Sequence, residues 1–284
     1  MPDCYLNGEF IALECARVSV LDRGFIFGDG VYEVIPVFNG RTFRLDQHLA
    51  RLRQSLEAIR IPQPLCECDW AGLLNTLVER NGGGDQSLYV QVTRGAAKRD
   101  HVLPEPITPT VFAMSTCLDP KRGHAPVSAI TCDDIRWHYC HIKAIDLLAN
   151  VMLRQRAADG GAYEAILLRD GRLTEGAASN VFIAAGGIVK TPPKSHALLP
   201  GITRDVLVEL LPAAGIPCVE TEVPRAELMG AEEIWLTSSV REILPVTVLD
   251  GHPVGSGEPG PLWTRVFELY ERFKAGQALR DAPP

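Results

Sequence analysis

Nowhere in this 284-residue sequence does an apolar run approach the roughly 20 residues that a membrane-spanning helix needs. Its first residues, MPDCYLNGEF, lack the basic segment followed by an apolar one that marks a secretory signal, and none is expected. Basic residues are in deficit. Against 35 Asp and Glu stand 28 Lys and Arg, which leaves a formal net charge of −7. That balance argues against nucleic acid or an anionic membrane surface as partner. Eight cysteines occur without the spacing of a disulfide framework, in a chain far too long to need one. They read as reduced thiols and point to the cytoplasm. Zinc-ligand spacing is missing as well. Cys66-Glu-Cys68 is followed by no second Cys or His pair at finger spacing, and His138, Cys140 and His141 read as strand residues alternating between two faces. No metal site is expected. Internal repeats and low-complexity segments are also lacking.

What is present suffices for one large or two medium domains, with 46% of residues hydrophobic. The first half reads as α/β. YLNGEFI is a hairpin turning at Asn7-Gly8, and GVYEVIPVFNGRTFRL alternates apolar and polar around a second turn at Asn39-Gly40. Asp46 has the character of an N-cap, with Leu49, Leu52, Leu56 and Ile59 at helical spacing after it. A second amphipathic helix runs from Trp70 to Arg80 and stops at Gly82-Gly83-Gly84. SLYVQVTRG and PTVFAMSTCL are strands. DPKRGHAP has linker composition, so the expected organisation is a small domain over 1–119, a linker over 120–126 and a larger domain over 127–284. The larger domain opens with a strand, then a helix from about Ala144 to Gly160-Gly161. Three strands follow in AYEAILLRDG, RLTEGAASNVFIAAG and GIVKTPP, then a helix from GITRDVL, two strands in EIWLTSSVREILPVTVLDG and a closing helix over Pro261–Ala275.

A few groups could carry chemistry. Lys143, in RWHYCHIKAIDLL, falls between a polar strand-like stretch and an apolar helical one. It is either a surface lysine or an amine whose pKa is lowered by burial and a helix N-terminus, which would free it as nucleophile and base. GITRDVL opens a helix after Pro200-Gly201, a start whose free N–H groups bind phosphate readily, with Thr203 adding a hydroxyl. Thr237-Ser238-Ser239 could add further hydroxyl donors or form an ordinary turn. Arg51 lies opposite the leucines of its helix, where it reaches a phosphate or water. Glu175 precedes small residues that would let a flat ring approach the backbone; it could equally be a turn carboxylate. Arg99 and His101, with Arg94 and Lys98 nearby, form either a carboxylate receptor or a solvated basic loop.

Together and in order, these pieces resemble the class IV (fold-type IV) pyridoxal-phosphate aminotransferases, most closely the bacterial D-amino acid aminotransferases. The stretches that carry the resemblance are DRGFIFGDGVYEVIPVFNG, QVTRGAAKRDH, DIRWHYCHIKAIDLL, YEAILLRDGRLTEGAASNVF, LPGITRDVL and LTSSVREILPV. It implies a two-domain α/β fold, with a small N-terminal α/β domain and a larger β-rich pseudo-barrel domain bearing helices. By the same resemblance, Lys143 forms the internal aldimine with pyridoxal 5′-phosphate and shuttles the proton between substrate and cofactor. Glu175 holds the pyridine nitrogen protonated, and Leu199 packs by the ring. The phosphate falls to Arg51, Ile202, Thr203 and Ser239, the last replacing a threonine of the nearest relatives. Tyr32, Arg99 and His101 trap the substrate α-carboxylate, with Arg99 and His101 supplied by the neighbouring subunit of a homodimer. The implied reaction is ping-pong amine transfer from a D-amino acid to a 2-oxo acid, in the cytoplasm. Alternatives with the same cofactor are a branched-chain L-amino acid or (R)-amine transaminase and aminodeoxychorismate lyase. A phosphate-ligand binding protein is the non-enzymatic one.

Overall fold

The computed structural model describes residues 2–119 and 124–280, with side chains through residue 276. Residues 120–123 of the expected linker lie outside the described residues. Two compact units emerge, one of Met1–Lys121 with Ile142–Leu147 and one of Arg122–His141 with Leu148–Pro284. The return of Ile142–Leu147 to the first unit differs from the continuous second domain read from the sequence.

In the first unit, β1 (Asp3–Leu6) and β2 (Glu9–Ala12) form the hairpin, with Asn7 and Gly8 at φ 48° and 104°. α1 (Arg23–Phe27) is a short turn capped by the Asp22 carboxylate, which accepts from the Gly24 N–H. β3 (Gly30–Phe38) and β4 (Arg41–Thr42) meet at Asn39-Gly40. α2 (Leu45–Ala58), α3 (Glu67–Arg80), β5 (Gln86–Thr93) and β6 (Thr110–Cys117) complete the unit. The antiparallel sheet runs β2-β1-β6-β5-β3-β4. Leu49, Leu52 and Leu56 of α2 and Leu74 and Leu77 of α3 share one core cluster with Val31, Ile35 and Val37 of β3.

Two expectations change here. Asp46 is not the N-cap of α2: the helix starts a residue before it, behind Arg44 at φ 54°, and Asp46 stands in the first turn, where a carboxylate also suits the helix dipole. Nor are all eight cysteines reduced. Cys66, the N-cap of α3, is joined to Cys68 in a disulfide whose Cα atoms are 5.5 Å apart. The extended residue at the cap and the first turn of helix bring these two sulfurs together, and a search for framework spacings overlooks such a local pair.

The second unit contains β7 (Val127–Asp133), α4 (Leu148–Asp159), β8 (Glu164–Arg169), β9 (Arg172–Gly176), β10 (Asn180–Ala185) and β11 (Ile188–Thr191). After them come α5 (Ile202–Ala213), β12 (Cys218–Glu220), α6 (Arg225–Met229), β13 (Glu233–Ser238), β14 (Glu242–Leu249), β15 (His252–Pro253) and α7 (Pro261–Arg280). Its mixed sheet runs β12-β11-β10-β13-β14-β7-β8-β9, with β15 on β14. Ile166, Leu168, Val181, Ile183, Ile234, Leu236, Leu244 and Val246 converge from β8, β10, β13 and β14 into one cluster, as in a half-barrel. This is the β-rich second half that the sequence implied.

The stretch RLTEGAASNVFIAAG is two strands, broken at residues 177–179, and Asn180 donates across the break to Glu175. The helix expected from Ala144 begins only at Leu148. Residues 144–147 are irregular chain instead: Ala144 bridges Val31, and the Ile145 N–H donates to the Gly30 carbonyl at 3.1 Å. Pairing with a strand satisfies amides that a helix would have satisfied internally. His138, Cys140 and His141 belong to no strand; Cys140 is buried and His138 exposed in irregular chain.

Burial separates two apolar helix residues. Leu74 is fully buried, so Leu74→Ala should cost about 2–5 kcal/mol by urea unfolding. Met229, the last residue of α6, is 41% exposed. Met229→Ala should change stability by less than about 0.5 kcal/mol in the same measurement.

Candidate active site

Lys143 lies on irregular chain beside β3, next to the Ala144–Val31 bridge. Its carbonyl accepts from the Tyr32 N–H at 3.0 Å and its own N–H donates to Ser55 Oγ at 3.2 Å. The side chain crosses the face of Tyr32, with Nζ 4.0 Å from the ring centroid, a cation–π distance. No helix begins at Lys143, so the dipole argument for its reactivity does not hold. What holds the amine is a backbone fixed on both sides and an aromatic wall. Tyr32 in turn stacks on Tyr89 at 5.7 Å. Burial pushes the Tyr89 hydroxyl up to about 12.

Arg51 is buried rather than solvated, and it is answered by a residue the sequence reading passed over. Its Nε donates to Glu33 Oε1 and its Nη2 to Glu33 Oε2, both at 2.8 Å. His48 Nδ1 approaches Glu33 Oε2 at 2.8 Å. Glu33 itself has no exposed surface. Burial alone would raise its pKa, but the Arg51 guanidinium and His48 outweigh that and hold it well below the usual carboxylate range. Burial lowers the pKa of His48, more than Glu33 restores; an ionised Glu33 can only accept, so His48 Nδ1 is the donor. Its Nε2 is buried with no partner among the described residues.

Arg99 and His101 stand on an exposed loop and flank one ring. The Arg99 guanidinium carbon is 5.5 Å from the Phe27 centroid, and the His101 ring is also 5.5 Å from it. Arg94, which the sequence grouped with them, serves the scaffold. Its guanidinium donates twice to Asp29 at 2.8 Å and also to the carbonyls of Ile59 and Arg60.

In the second unit, Glu175 is a buried carboxylate inside β9 and no turn residue. Arg136 Nη1 donates to its Oε1. Asn180 Nδ2 and the Leu199 N–H donate to Oε2 at 3.0 and 3.1 Å. Burial pushes Glu175 up to about 7 against the pull of Arg136. Arg136 is itself held by Asp134 through Nε and Nη2, both at 2.9 Å, and ties down the Ala197 carbonyl at 3.1 Å. The 195–199 loop is further fixed by the Cys140 N–H on the His196 carbonyl.

α5 starts at Ile202 behind Gly201, with no side-chain cap, so the N–H groups of Ile202 and Thr203 have no intrahelical acceptor. Glycine is required at the cap: a Cβ there would lie 2.0 Å from Asn180 Oδ1. Thr203 Oγ1 donates to the Ser238 carbonyl at 3.2 Å. The Thr237 hydroxyl is buried without a partner among the described residues, and Ser239 follows in the turn from β13 to β14.

The structure thus groups Tyr32, Arg51 and Lys143 in one unit, with Glu175, Leu199, Ile202, Thr203 and Ser239 in the other. Glu33, His48, Ser55, Asp134, Arg136 and Asn180 were not singled out from the sequence. For Glu33 a signal existed. In VYEVIPV, strict alternation puts it on the face of Val31, Ile35 and Val37, all fully buried, and a carboxylate there needs cations. Glu33→Gln would leave Arg51 without its counter-charge, and should destabilise the protein by about 3–5 kcal/mol in urea unfolding. A loss below about 1 kcal/mol would contradict the assignment.

Comparison with known proteins accords with this geometry. Residues 30–249 match the family model of the class IV amino-transferases. The chain is 45% identical over 262 residues to a D-alanine aminotransferase of Bacillus licheniformis, covering 92% of this chain and 93% of that one. A branched-chain aminotransferase of the archaeon Thermoproteus uzoniensis, solved with norvaline, superposes with a TM-score of 0.89 at 27% identity, covering 95% of this chain and 94% of the other. Another branched-chain amino acid aminotransferase, solved with pyridoxamine 5′-phosphate, gives a TM-score of 0.88 at 26% identity and covers 95% and 92%. With a family model matching residues 30–249 and a relative 45% identical over most of both chains, this chain belongs to the class IV aminotransferases, enzymes that work with pyridoxal 5′-phosphate.

Proposed function

We propose that this enzyme transfers the amino group of a D-amino acid to a 2-oxo acid, with Lys143 as its catalytic residue. The observation that carries the choice of substrate is the 45% identity to a D-alanine aminotransferase, against 27% to a branched-chain enzyme of the same fold. The presence of Tyr32, Arg99 and His101, the three carboxylate-binding residue types, supports it.

The groups present fit the cofactor. An uncapped helix start with Gly201 behind it, the hydroxyls of Thr203 and Ser239 and the guanidinium of Arg51 suit a phosphate. Glu175, which Arg136, Asn180 and the Leu199 N–H hold in place, suits a protonated pyridine nitrogen. Leu199 supplies an apolar contact for the ring. Pyridoxal phosphate brings an aldehyde and a ring that stabilises negative charge on the substrate Cα. Lys143 would hold that aldehyde through its amine and, once released by the substrate amine, would be the free base positioned to take the Cα proton. Its backbone, tied to Tyr32 and Ser55, restricts where Nζ can reach and so which enantiomer presents its hydrogen. Tyr32, Arg99 and His101 grip the α-carboxylate.

Arg99 and His101 act, by this reading, on the active site of a second copy in a homodimer. Apolar side chains left exposed in each unit support such an assembly: Val20, Phe25 and Val102 in the first, and Leu148, Val151 and Met152 in the second, each more than half exposed. Among the described residues no helix is long and apolar enough to cross a membrane. Free thiols at the cysteines other than Cys66 and Cys68 favour the cytoplasm.

Mixing the holoenzyme with D- and L-amino acids while following the cofactor's absorption decides the enantiomer. Response to D-alanine and none to L-leucine is the expected result, and the reverse would favour the branched-chain alternative. Lys143→Ala should lower turnover by at least about 10²–10⁴-fold in a coupled assay. Arg99→Ala should raise the KM for the amino acid about 10–100-fold, the worth of a charge-assisted hydrogen bond, with an unchanged KM moving the carboxylate trap elsewhere.

A further inference from the structure

Cys66 caps α3, Glu67, Cys68 and Asp69 form its first turn, and all four residues are exposed. None of the roles assigned above uses this turn. Its Cys66–Cys68 bridge spans a sequence separation of 2. So small a ring withdraws little entropy from the unfolded chain, far less than a bridge across a long loop. The bridge is therefore no staple. Cys15 and Cys117 are exposed too and remain free, so exposure alone does not account for it.

The two sulfurs have different surroundings. Cys66 Sγ accepts from the Asp69 N–H at 3.3 Å, at the positive end of a 14-residue helix. Cys68 Sγ instead lies 3.9 Å from the Asp69 carboxylate, at Oδ1. Glu67, between them in sequence, is turned to Arg53 Nη1 at 2.5 Å. Once the bond opens, a negative sulfur is favoured at position 66 and opposed at position 68. Attack on a disulfide needs the ionised sulfur, so the first turn of α3 makes one cysteine the nucleophile. The other stays beside it, close enough to close the bond again.

We propose that Cys66 and Cys68 form a thiol–disulfide exchange site for low-molecular-weight thiols and their disulfides, separate from amine transfer. Cys66 is the attacking sulfur and Cys68 the resolving one. In the oxidising direction the Cys66 thiolate attacks a small disulfide RSSR and breaks its S–S bond. A mixed disulfide forms on Cys66 and RS⁻ departs. Cys68 then gives up its proton and displaces the second RS⁻, which forms the Cys66–Cys68 bond. The pair loses two electrons and two protons, and RSSR becomes two RSH. Reduction of the bridge by two RSH is the same sequence reversed.

The test equilibrates holoenzyme with graded mixtures of reduced and oxidised glutathione, labels free thiols with N-ethylmaleimide and maps the label by mass spectrometry. Cys66 and Cys68 should pass from protected to labelled together, along one two-electron curve. In fully reduced protein at neutral pH, limiting N-ethylmaleimide should label Cys66 at least about threefold faster than Cys68. Asp69→Asn, which keeps the backbone donor and removes the carboxylate, should narrow that gap. Cys68→Ser given oxidised glutathione should retain one glutathione on Cys66, an adduct that the wild type resolves. Cys66→Ser keeps a hydroxyl cap for α3, and its Cys68 should take the adduct more slowly. Labelling of both cysteines in every mixture overturns the proposal. Equal labelling rates, or an adduct on Cys66 that forms no faster than one on Cys15, overturn it as well.

Discussion

A carboxylate removed from water is stable as an anion only if the protein supplies cations and N–H donors in place of the lost hydration. Glu175 has such partners, although burial still pushes it up to about 7, and much of the second unit is arranged around it. Arg136 brings a positive charge, Asp134 holds Arg136 in place, and Asn180 and the Leu199 N–H take the remaining oxygen. Each partner has a second task. Asn180 also fixes the Leu199 carbonyl at 2.8 Å and fills the space a side chain at position 201 would need, so the same amide sets the start of α5. The carboxylate and the anion-receptive helix start are therefore two ends of one hydrogen-bonded arrangement. In the proposed role of these groups, that coupling would fix both the ring nitrogen and the phosphate tail of the cofactor by fold rather than by side-chain flexibility.

The first unit solves a parallel problem with Glu33. Here the buried anion serves the cation, since Arg51 receives two hydrogen bonds' worth of orientation from it and has little freedom left. Lys143 is constrained by a different device, the pairing of residues 143–145 along β3. Backbone bonds hold the lysine's main chain, and the Tyr32 face limits the path of its amine. A reactive amine that must meet a carbon within bonding reach benefits from such prior restriction, because the entropy of positioning is lost on folding instead of during reaction.

Much of this was legible in the sequence. Turn dipeptides at Asn7-Gly8 and Asn39-Gly40, the leucine spacing after residue 45 and the glycines after residue 81 mark local structure through local chemistry, and the fold agrees with them. The division into an α/β half and a β-rich half was also readable, as was family membership. The misses share a cause. Residues 144–147 have helical composition, yet Ala144 bridges Val31 and the Ile145 amide bonds to Gly30, partners more than 100 positions away in sequence that no local window contains. Arg136 and Asp134 become meaningful only beside Glu175, and the helix pattern left Arg51 open between phosphate and water because Glu33 could not be seen opposite it. Buried ion pairs are tertiary facts, although the strand parity of Glu33 announced a charge that required one.

The central claim is that one particular lysine carries the coenzyme. Borohydride reduction of the holoenzyme would make that bond permanent, and digestion followed by mass spectrometry would then locate it. The account predicts the phosphopyridoxyl mass on the peptide containing Lys143. Its appearance on another lysine, such as Lys190 or Lys194, or on none, would contradict it.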